Sequence, residues 1–168
     1  MFKRIFALFA AIVFTLSVVS CSSDKAKYTY CELTIDLPDG FYSVKNDDFD
    51  VVYSNGRYMT AILRISFQAA VMENIPETLT PYEFGEFWIE KCERDATVKK
   101  ENSVYCEYFE YDEKTEKEYF YLEAFYRSAY AYFVILFAVD SEFYDTGRVD
   151  FLKYSESVNF TLYSEGKK

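Results

Sequence analysis

The chain has 168 residues, with 28 acidic and 18 basic side chains and a net charge of −10 at pH 7. A chain this acidic repels nucleic acid and anionic lipid headgroups, so we exclude nucleic-acid binding. The sequence contains no histidine, which excludes Ser–His and Cys–His catalysis and histidine-based zinc sites. We therefore predict no enzyme, no cofactor and no metal. Catalysis by carboxylates alone is the enzymatic alternative left open.

The first twenty residues have the composition of a signal peptide. A short basic start precedes an apolar run from Ile5 to Val19, which is shorter than the ~20 residues that a stable membrane-spanning helix needs. The run ends in Val18-Val19-Ser20-Cys21, which resembles the lipobox of bacterial lipoproteins. An ordinary secretory signal and an uncleaved anchor helix are the alternatives.

The lipobox resemblance implies that residues 1–20 are removed and that Cys21 is lipidated. Its acyl chains would hold the protein on the extracytoplasmic side of a bacterial cell envelope, at an inner or an outer membrane. Residues 21–27 then form the lipidated cysteine and a polar tether, residues 28–162 a single domain, and residues 163–168 a polar tail. Without the signal peptide the net charge is −12.

The first strands are predicted from alternation and turn residues. Tyr28 to Leu37 alternates apolar and polar side chains, which predicts one half-buried strand that ends at the turn Pro38-Asp39-Gly40. Asp50 to Ser54 and Arg57 to Phe67 flank Asn55-Gly56. An Asn-Gly pair between two strands predicts a hairpin with a two-residue type I′ turn.

A helix is predicted from Thr80 onward. Thr80 and Glu83 form a capping box around Pro81 at the first helical position. Phe84, Phe87, Trp88 and Cys92 follow at helical spacing, so we expect this aromatic face to pack on a sheet.

The second half of the chain predicts three strands, a helix and a short strand. The strands are Ser103 to Tyr111, Lys117 to Arg127 and Tyr130 to Val139. In the third of these strands the residues that point to either face are apolar, so we expect it to be central and covered on both faces. Ser141 opens the last helix, with Phe143, Val149 and Leu152 as inward positions, and Val158 to Leu162 returns as an edge strand.

These elements predict an α+β domain in which an antiparallel sheet of about six strands carries helices on its faces. The opening phrase LTIDLPDGF, the Asn-Gly hairpin, the Thr-Pro-capped helix, the meander and the final helix resemble the PsbP-like fold. That fold, an α/β/α sandwich, includes small bacterial lipoproteins of unknown role. PsbP-type proteins that bind metal use histidine, so this resemblance carries no functional residue to the chain.

Candidate sites other than Cys21 are weak. Cys31, Cys92 and Cys106 are expected as small buried side chains, with a Cys92–Cys106 disulfide as the alternative. The acidic segment 46–50 fails the EF-hand pattern, which leaves a looser calcium loop open. The 17 tyrosines suit half-buried sheet surfaces.

Two functions from different classes are compatible with these observations. The first is a non-enzymatic accessory domain, anchored through Cys21, that holds an envelope protein. The second is a small-ligand binder, for a sugar or another polar solute, that uses a tyrosine-rich surface. An exposed apolar patch on a sheet face or edge would favour the first.

Overall fold

The computed structural model describes residues 25–161, so residues 1–24 and 162–168, with Cys21 among them, lie outside the described part of the chain. The described residues form two antiparallel sheets and three α-helices. The smaller sheet has the order β1-β2-β10. Its strands are β1 (Lys25–Tyr30), β2 (Leu33–Pro38) and β10 (Asn159–Phe160).

The main sheet has seven strands in the order β3-β4-β5-β9-β8-β7-β6, and every neighbouring pair is antiparallel. Its strands are β3 (Tyr42–Val44), β4 (Val51–Ser54), β5 (Met59–Ser66), β6 (Lys99–Lys100), β7 (Val104–Asp112), β8 (Lys117–Arg127) and β9 (Ala131–Asp140). The predicted central strand is confirmed, since β9 lies between β5 and β8 and residues 131–139 are all buried.

Helices and the small sheet cover the two faces of the main sheet. They are α1 (Phe67–Met72), α2 (Pro81–Lys91) and α3 (Tyr144–Glu156), the last preceded by a 3-10 turn at Ser141–Phe143. One core cluster joins α1 and α2 to one face of the sheet, and another joins α3 and the small sheet to the opposite face. The predicted class, an α+β fold with helices on both faces of an antiparallel sheet, is confirmed. Within residues 25–161, no helix is long and apolar enough to cross a membrane.

The predicted single strand from Tyr28 to Leu37 is wrong. The chain reverses at Cys31 and Glu32, so that β1 and β2 pair antiparallel, with Tyr30 opposite Leu33. Cys31 has a φ of 49°, a left-handed conformation that closes this tight turn without a glycine. The reversal adds a strand, and β1 begins at Lys25, within the range assigned to the tether.

The small sheet is tied to the main sheet through Glu32. Its carboxylate accepts hydrogen bonds from Arg64 Nε (3.2 Å) and Nη2 (3.3 Å) on β5, and from the Ser128 hydroxyl (2.9 Å). Burial raises the pKa of Glu32, but hydrogen bonds from its own backbone, Arg64 and Ser128 outweigh this and lower the pKa.

The predicted hairpin exists, but its turn is not the expected type. Its loop has four residues, Asn55 to Tyr58, with Ser54 opposite Met59. Gly56 has a φ of 85°, whereas Asn55 is not in the left-handed region that type I′ requires of both central residues. The Asn55 side chain instead accepts hydrogen bonds from the backbone N–H groups of Arg57 and Tyr58. This side-chain turn replaces the tighter one.

The capping box of α2 is confirmed. The Thr80 hydroxyl accepts a hydrogen bond from the Glu83 N–H (3.3 Å), and the Glu83 carboxylate accepts one from the Thr80 N–H (2.8 Å). Phe84 and Trp88 are buried against the sheet.

The predicted inward face of α3 is largely wrong. Val149 is 64% exposed and Phe143 36% exposed, and the buried face carries Gly147 and Phe151 instead. A Cβ on Gly147 would lie 2.7 Å from Val139 Cγ1, so the helix approaches β9 most closely at this glycine. That contact determines which side of α3 faces the sheet.

Candidate functional site

The most distinctive surface of the described residues is the open edge of β7. On one side β7 pairs with β8 from Tyr105 to Asp112. On the other side the two residues of β6 pair only with Tyr105 and Val104. From Glu107 to Asp112, no strand within residues 25–161 pairs with this side. We call residues 107–112 the β7 edge.

The backbone of the β7 edge directs regularly spaced polar groups outward. The Glu101 N–H donates to the Ser103 carbonyl across the β6–β7 turn (3.0 Å). In the register that places Lys100 opposite Val104, Glu101 lies opposite Ser103, so this bond shows that the carbonyl of Ser103 points towards β6. The N–H and C=O groups of Tyr105, two residues further along, point the same way. Because directions alternate along a strand, the N–H and C=O groups of Glu107, Phe109 and Tyr111 point to the open side.

Aromatic side chains are exposed on the same strand. Phe109 is 49% exposed and Tyr111 60% exposed, both on the α3 face of the sheet. The Phe109 ring lies 5.3 Å from the rings of Phe120 and Tyr144, centroid to centroid, so it is held in place while one side remains open. Single exposed apolar residues are common, but two beside unpaired backbone are typical of a binding edge.

A buried ion pair lies behind the edge, on the α2 face. Arg94 Nη1 is 2.6 Å from Glu123 Oε1, and their side chains are 10% and 1% exposed. The Tyr108 hydroxyl of β7 donates a hydrogen bond to Glu123 (3.3 Å), and the Tyr108 ring stacks on the Tyr121 ring at 5.2 Å between centroids. The Arg94 guanidinium lies 4.5 Å from the centre of the Tyr108 ring and donates a hydrogen bond to its hydroxyl. The pair thus fixes the inner side chain of the edge strand.

The electrostatics of this cluster follow from burial. Burial raises the pKa of Glu123, and the Arg94 charge and the Tyr108 hydroxyl oppose that rise. Burial also raises the pKa values of Cys106 and Cys92, the latter to about 11, so these thiols stay protonated at neutral pH. Neither thiol of the cluster is therefore an ionised nucleophile.

A concave feature lies beside the first residues of β8, Lys117 and Tyr119. It is a cleft of about 320 Å³ between the β4–β5 turn and the 3-10 turn before α3. Its charged lining residues are Arg57, Lys117, Asp140 and Glu142. Lys117 Nζ lies 2.5 Å from Asp140 Oδ2, and the Arg57 guanidinium lies 4.1 Å from the Phe143 ring centre. The cleft presents opposite charges beside an aromatic ring.

The predicted site residues are not brought together. Cys21 lies outside the described residues. The expectation of three buried cysteines is wrong for Cys31, which is exposed, while Cys92 is half-buried and Cys106 buried. All three are free thiols, so the Cys92–Cys106 disulfide left open by the sequence is not formed.

The candidate calcium loop makes its own internal bonds. Asn46 Oδ1 accepts from the N–H groups of Asp48 (2.8 Å) and Phe49 (3.1 Å), and Asp50 accepts from the Arg64 N–H (2.6 Å). Among residues 25–161, no three acidic or cysteine side chains are grouped so that they could hold a metal ion.

Most tyrosines serve the core, as their amphipathic side chains suggest. The Tyr28, Tyr126 and Tyr132 hydroxyls donate to backbone carbonyls. Three tyrosines of residues 25–161 are exposed: Tyr42 on β3 and Tyr111 on β7, towards opposite edges of the main sheet, and Tyr130 between β8 and β9.

Sequence reasoning missed both the β7 edge and the ion pair beneath it. Glu123 did carry a signal, since it is the one charged residue in an otherwise apolar run from Tyr119 to Phe125. A charged residue at such a position requires a buried partner. Arg94 lies 29 positions earlier, in the loop after α2, and its proximity depends on the tertiary fold.

Comparison with known proteins finds the fold and no family. No protein-family model matches the sequence, and no curated protein matches it. A crystal structure of a Bacteroides thetaiotaomicron protein is similar at a TM-score of 0.54 and 11% identity; the match covers 84% of this chain and 50% of that one. This chain therefore spans about half the length of that protein.

Two further solved structures are similar. The Ran-binding protein Mog1p of Saccharomyces cerevisiae matches at a TM-score of 0.54 and 11% identity, over 83% of this chain and 96% of that one. Cyanobacterial PsbP (CyanoP) of Synechocystis matches at a TM-score of 0.47 and 12% identity, and the match covers 88% of this chain and 98% of that one. A PsbP-like protein, as the element order suggested, is thus among the matches. The two similarities at 0.54 show a shared fold.

Proposed function

We propose that this protein is a non-enzymatic accessory domain, lipid-anchored through Cys21 on the outside of a bacterial membrane, that holds an envelope protein through the β7 edge. The observation that carries the proposal is the open strand edge with its exposed Phe109 and Tyr111. An edge of this kind is a template for pairing with another chain, and folds without such a role usually shorten or cover it. The other edge strand, β3, has only three residues.

The charged groups of the described residues support a binding role. The buried carboxylates of Glu32 and Glu123 form ion pairs with Arg64 and Arg94. A carboxylate enzyme needs two acids in one pocket with separated pKa values. The cleft brings two acids together, Asp140 and Glu142, but the Asp140 carboxylate is paired with Lys117.

The experiment is site-specific crosslinking in the cells that make the protein. A photo-crosslinking phenylalanine analogue replaces Phe109 in one variant and Tyr42 in the other. Tyr42 is the matched control, because it is 45% exposed but lies on the opposite edge of the main sheet. We expect one envelope protein to be captured from position 109 and not from position 42. Equal capture at both positions, or none at either, contradicts the proposal.

The anchor is tested separately. Palmitate labelling of the wild type and of Cys21→Ser should show label only on the wild type, and the Cys21→Ser protein should leave the membrane fraction. Label retained by Cys21→Ser, or an unlabelled wild type, contradicts lipidation at this residue.

A second candidate function, binding of a small polar solute, is favoured by the cleft beside Phe143. Arg57 lies against the Phe143 ring and Glu142 lines the same cleft, so the cleft offers a cation and an acid beside an apolar surface, which suits an amino acid or a charged sugar. Thermal shift against such solutes tests this, with Arg57→Ala as the variant. A rise in melting temperature that Arg57→Ala abolishes supports it, and flat melting curves across the panel remove it.

A further inference from the structure

The chemistry of the β7 edge defines what it would bind, if the proposed accessory role holds. We infer that its occupant is an extended segment of a partner protein, with alternating apolar and basic residues, that adds to the main sheet as a further strand. The inference rests on the outward backbone groups, on the two different faces of the edge, and on its charge.

The backbone provides the first requirement. The outward N–H and C=O groups of Glu107, Phe109 and Tyr111 repeat every second residue, which is the spacing at which an added strand forms ladder bonds. The β7–β8 register runs without a bulge from Tyr105 to Asp112. The edge is therefore regular enough to accept a strand rather than a loop.

The side chains provide the second requirement, because the two faces of the edge differ. On the α3 face, Phe109 and Tyr111 offer exposed aromatic surface, and Glu107 is already neutralised by Lys99 (2.5 Å) and Arg148 (2.6 Å). On the opposite face, Glu110 and Asp112 carry acidic groups. Side chains of an added strand alternate between these faces. Apolar residues would meet the aromatic face, and basic residues would meet the acidic one.

The charge argues against a second copy of this chain as the occupant. Two copies would each bring the same acidic face and a net charge of −10 or more negative. Acidic residues on an edge strand are a common means of preventing such self-pairing. A cationic segment gains from the same field, which also accelerates its association.

The experiment measures the binding of a defined peptide to the full protein in a non-ionic detergent at pH 7.5. This pH matters because burial raises the pKa of Glu110, and the probe requires its charge. The probe is a fluorescent, end-blocked nonapeptide that alternates lysine with valine and phenylalanine. Three control peptides are used: one with glutamate for each lysine, one scrambled, and one N-methylated at every second residue, which removes one row of backbone donors.

Protein variants test the location of binding. Phe109→Pro removes an outward N–H and no β7–β8 ladder bond, because the Phe109 N–H points away from β8. Glu110→Lys reverses the charge on the acidic face, and Tyr42→Ser is the matched control on the opposite edge. We expect Phe109→Pro and Glu110→Lys each to weaken binding about tenfold or more, with Tyr42→Ser unchanged. A melting curve of each variant shows whether it is folded. If Phe109→Pro does not fold, the binding of the peptide to Glu110→Lys tests the location instead.

Each outcome bears on the inference. Selective binding of the alternating basic peptide, lost on N-methylation, supports strand addition. Equal binding of the acidic, scrambled or N-methylated peptide overturns it, and so does the absence of binding. A concentration-dependent dimer that Phe109→Pro abolishes assigns the edge to a second copy and also overturns it. If no peptide binds but position 109 still captures one envelope protein in cells, the chemistry is wrong and the accessory role stands.

Discussion

Breaking the buried Arg94–Glu123 pair should destabilise the protein far more than breaking an exposed pair. Arg94→Met leaves the Glu123 carboxylate, 1% exposed, without its cation at 2.6 Å. Removing one partner of a buried pair typically costs about 3–5 kcal/mol. For a domain of this size that corresponds to a fall in melting temperature of about 10 °C or more. The matched control is Lys91→Met, whose exposed pair with Glu73 should cost less than about 1 kcal/mol.

The pH dependence shows which charge is left behind. In Arg94→Met, burial raises the pKa of Glu123 against the Tyr108 hydrogen bond but no longer against a cation, so the variant regains stability as pH falls and the carboxyl takes up a proton. In Glu123→Gln the remaining charge is a guanidinium that cannot lose its proton, so its penalty should not relax in acid. The double variant Arg94→Met/Glu123→Leu, with neither charge, should recover most of the loss.

Urea unfolding at pH 5 and pH 7.5 measures all four variants. If Arg94→Met lowers the free energy of unfolding by less than about 1 kcal/mol at pH 7.5, the prediction is wrong, because the Glu123 carboxylate would then be hydrated or paired with another group. A double variant as unstable as the worse single one would show that the loss comes from packing rather than charge.

Three further perturbations test the fold. Glu32→Gln should remove a stabilising term that exists above the unfolded-state pKa near 4.5 and disappears as pH falls through the lowered folded pKa. The difference in unfolding free energy between wild type and Glu32→Gln should therefore shrink below pH 4.5 in urea titrations. Thr80→Ala should cost about 1 kcal/mol in the same assay, because it removes the N-cap of α2; no change would mean that the cap is dispensable. Gly147→Ala should lower the free energy of unfolding by about 1–3 kcal/mol through the clash with Val139, and Val139→Ala should rescue part of this loss. Thermal melts that show a stabilised Gly147→Ala would contradict the close approach.

Elements with strong local signals were predictable from the sequence. The α2 cap depends on residues three positions apart, and the central position of β9 follows from the nine consecutive apolar side chains of residues 131–139. The β1–β2 reversal also left a trace. Tyr28 and Tyr30 occupy even positions while Leu33 and Ile35 occupy odd ones, so the apolar phase changes at the turn. Without glycine or asparagine there, the change of phase was the only sign.

What determines the candidate site was not local. Whether β7 is covered depends on how far β6 extends beside it, and β6 ends after two residues. Helix α1 has six residues, too few for a period of 3.6 to be recognised. The face of α3 depends on one close contact between Gly147 and β9. Edges and helix phases of this kind are set by packing between distant segments, which a periodicity argument does not reach.

The buried ion pair and the open edge are best understood together. A strand without a neighbour on one side tends to open locally, yet both faces of β7 are held. Tyr108 is fixed by Arg94 and Tyr121 on one face, and Phe109 is packed against Tyr144 on the other. A buried ion pair contributes little net stability compared with apolar packing, and here it holds the Tyr108 side chain of the edge strand through contacts to its ring and hydroxyl. A pre-formed edge leaves the ordering cost of association to the partner segment alone, and this makes β7 a better template for an added strand than β3.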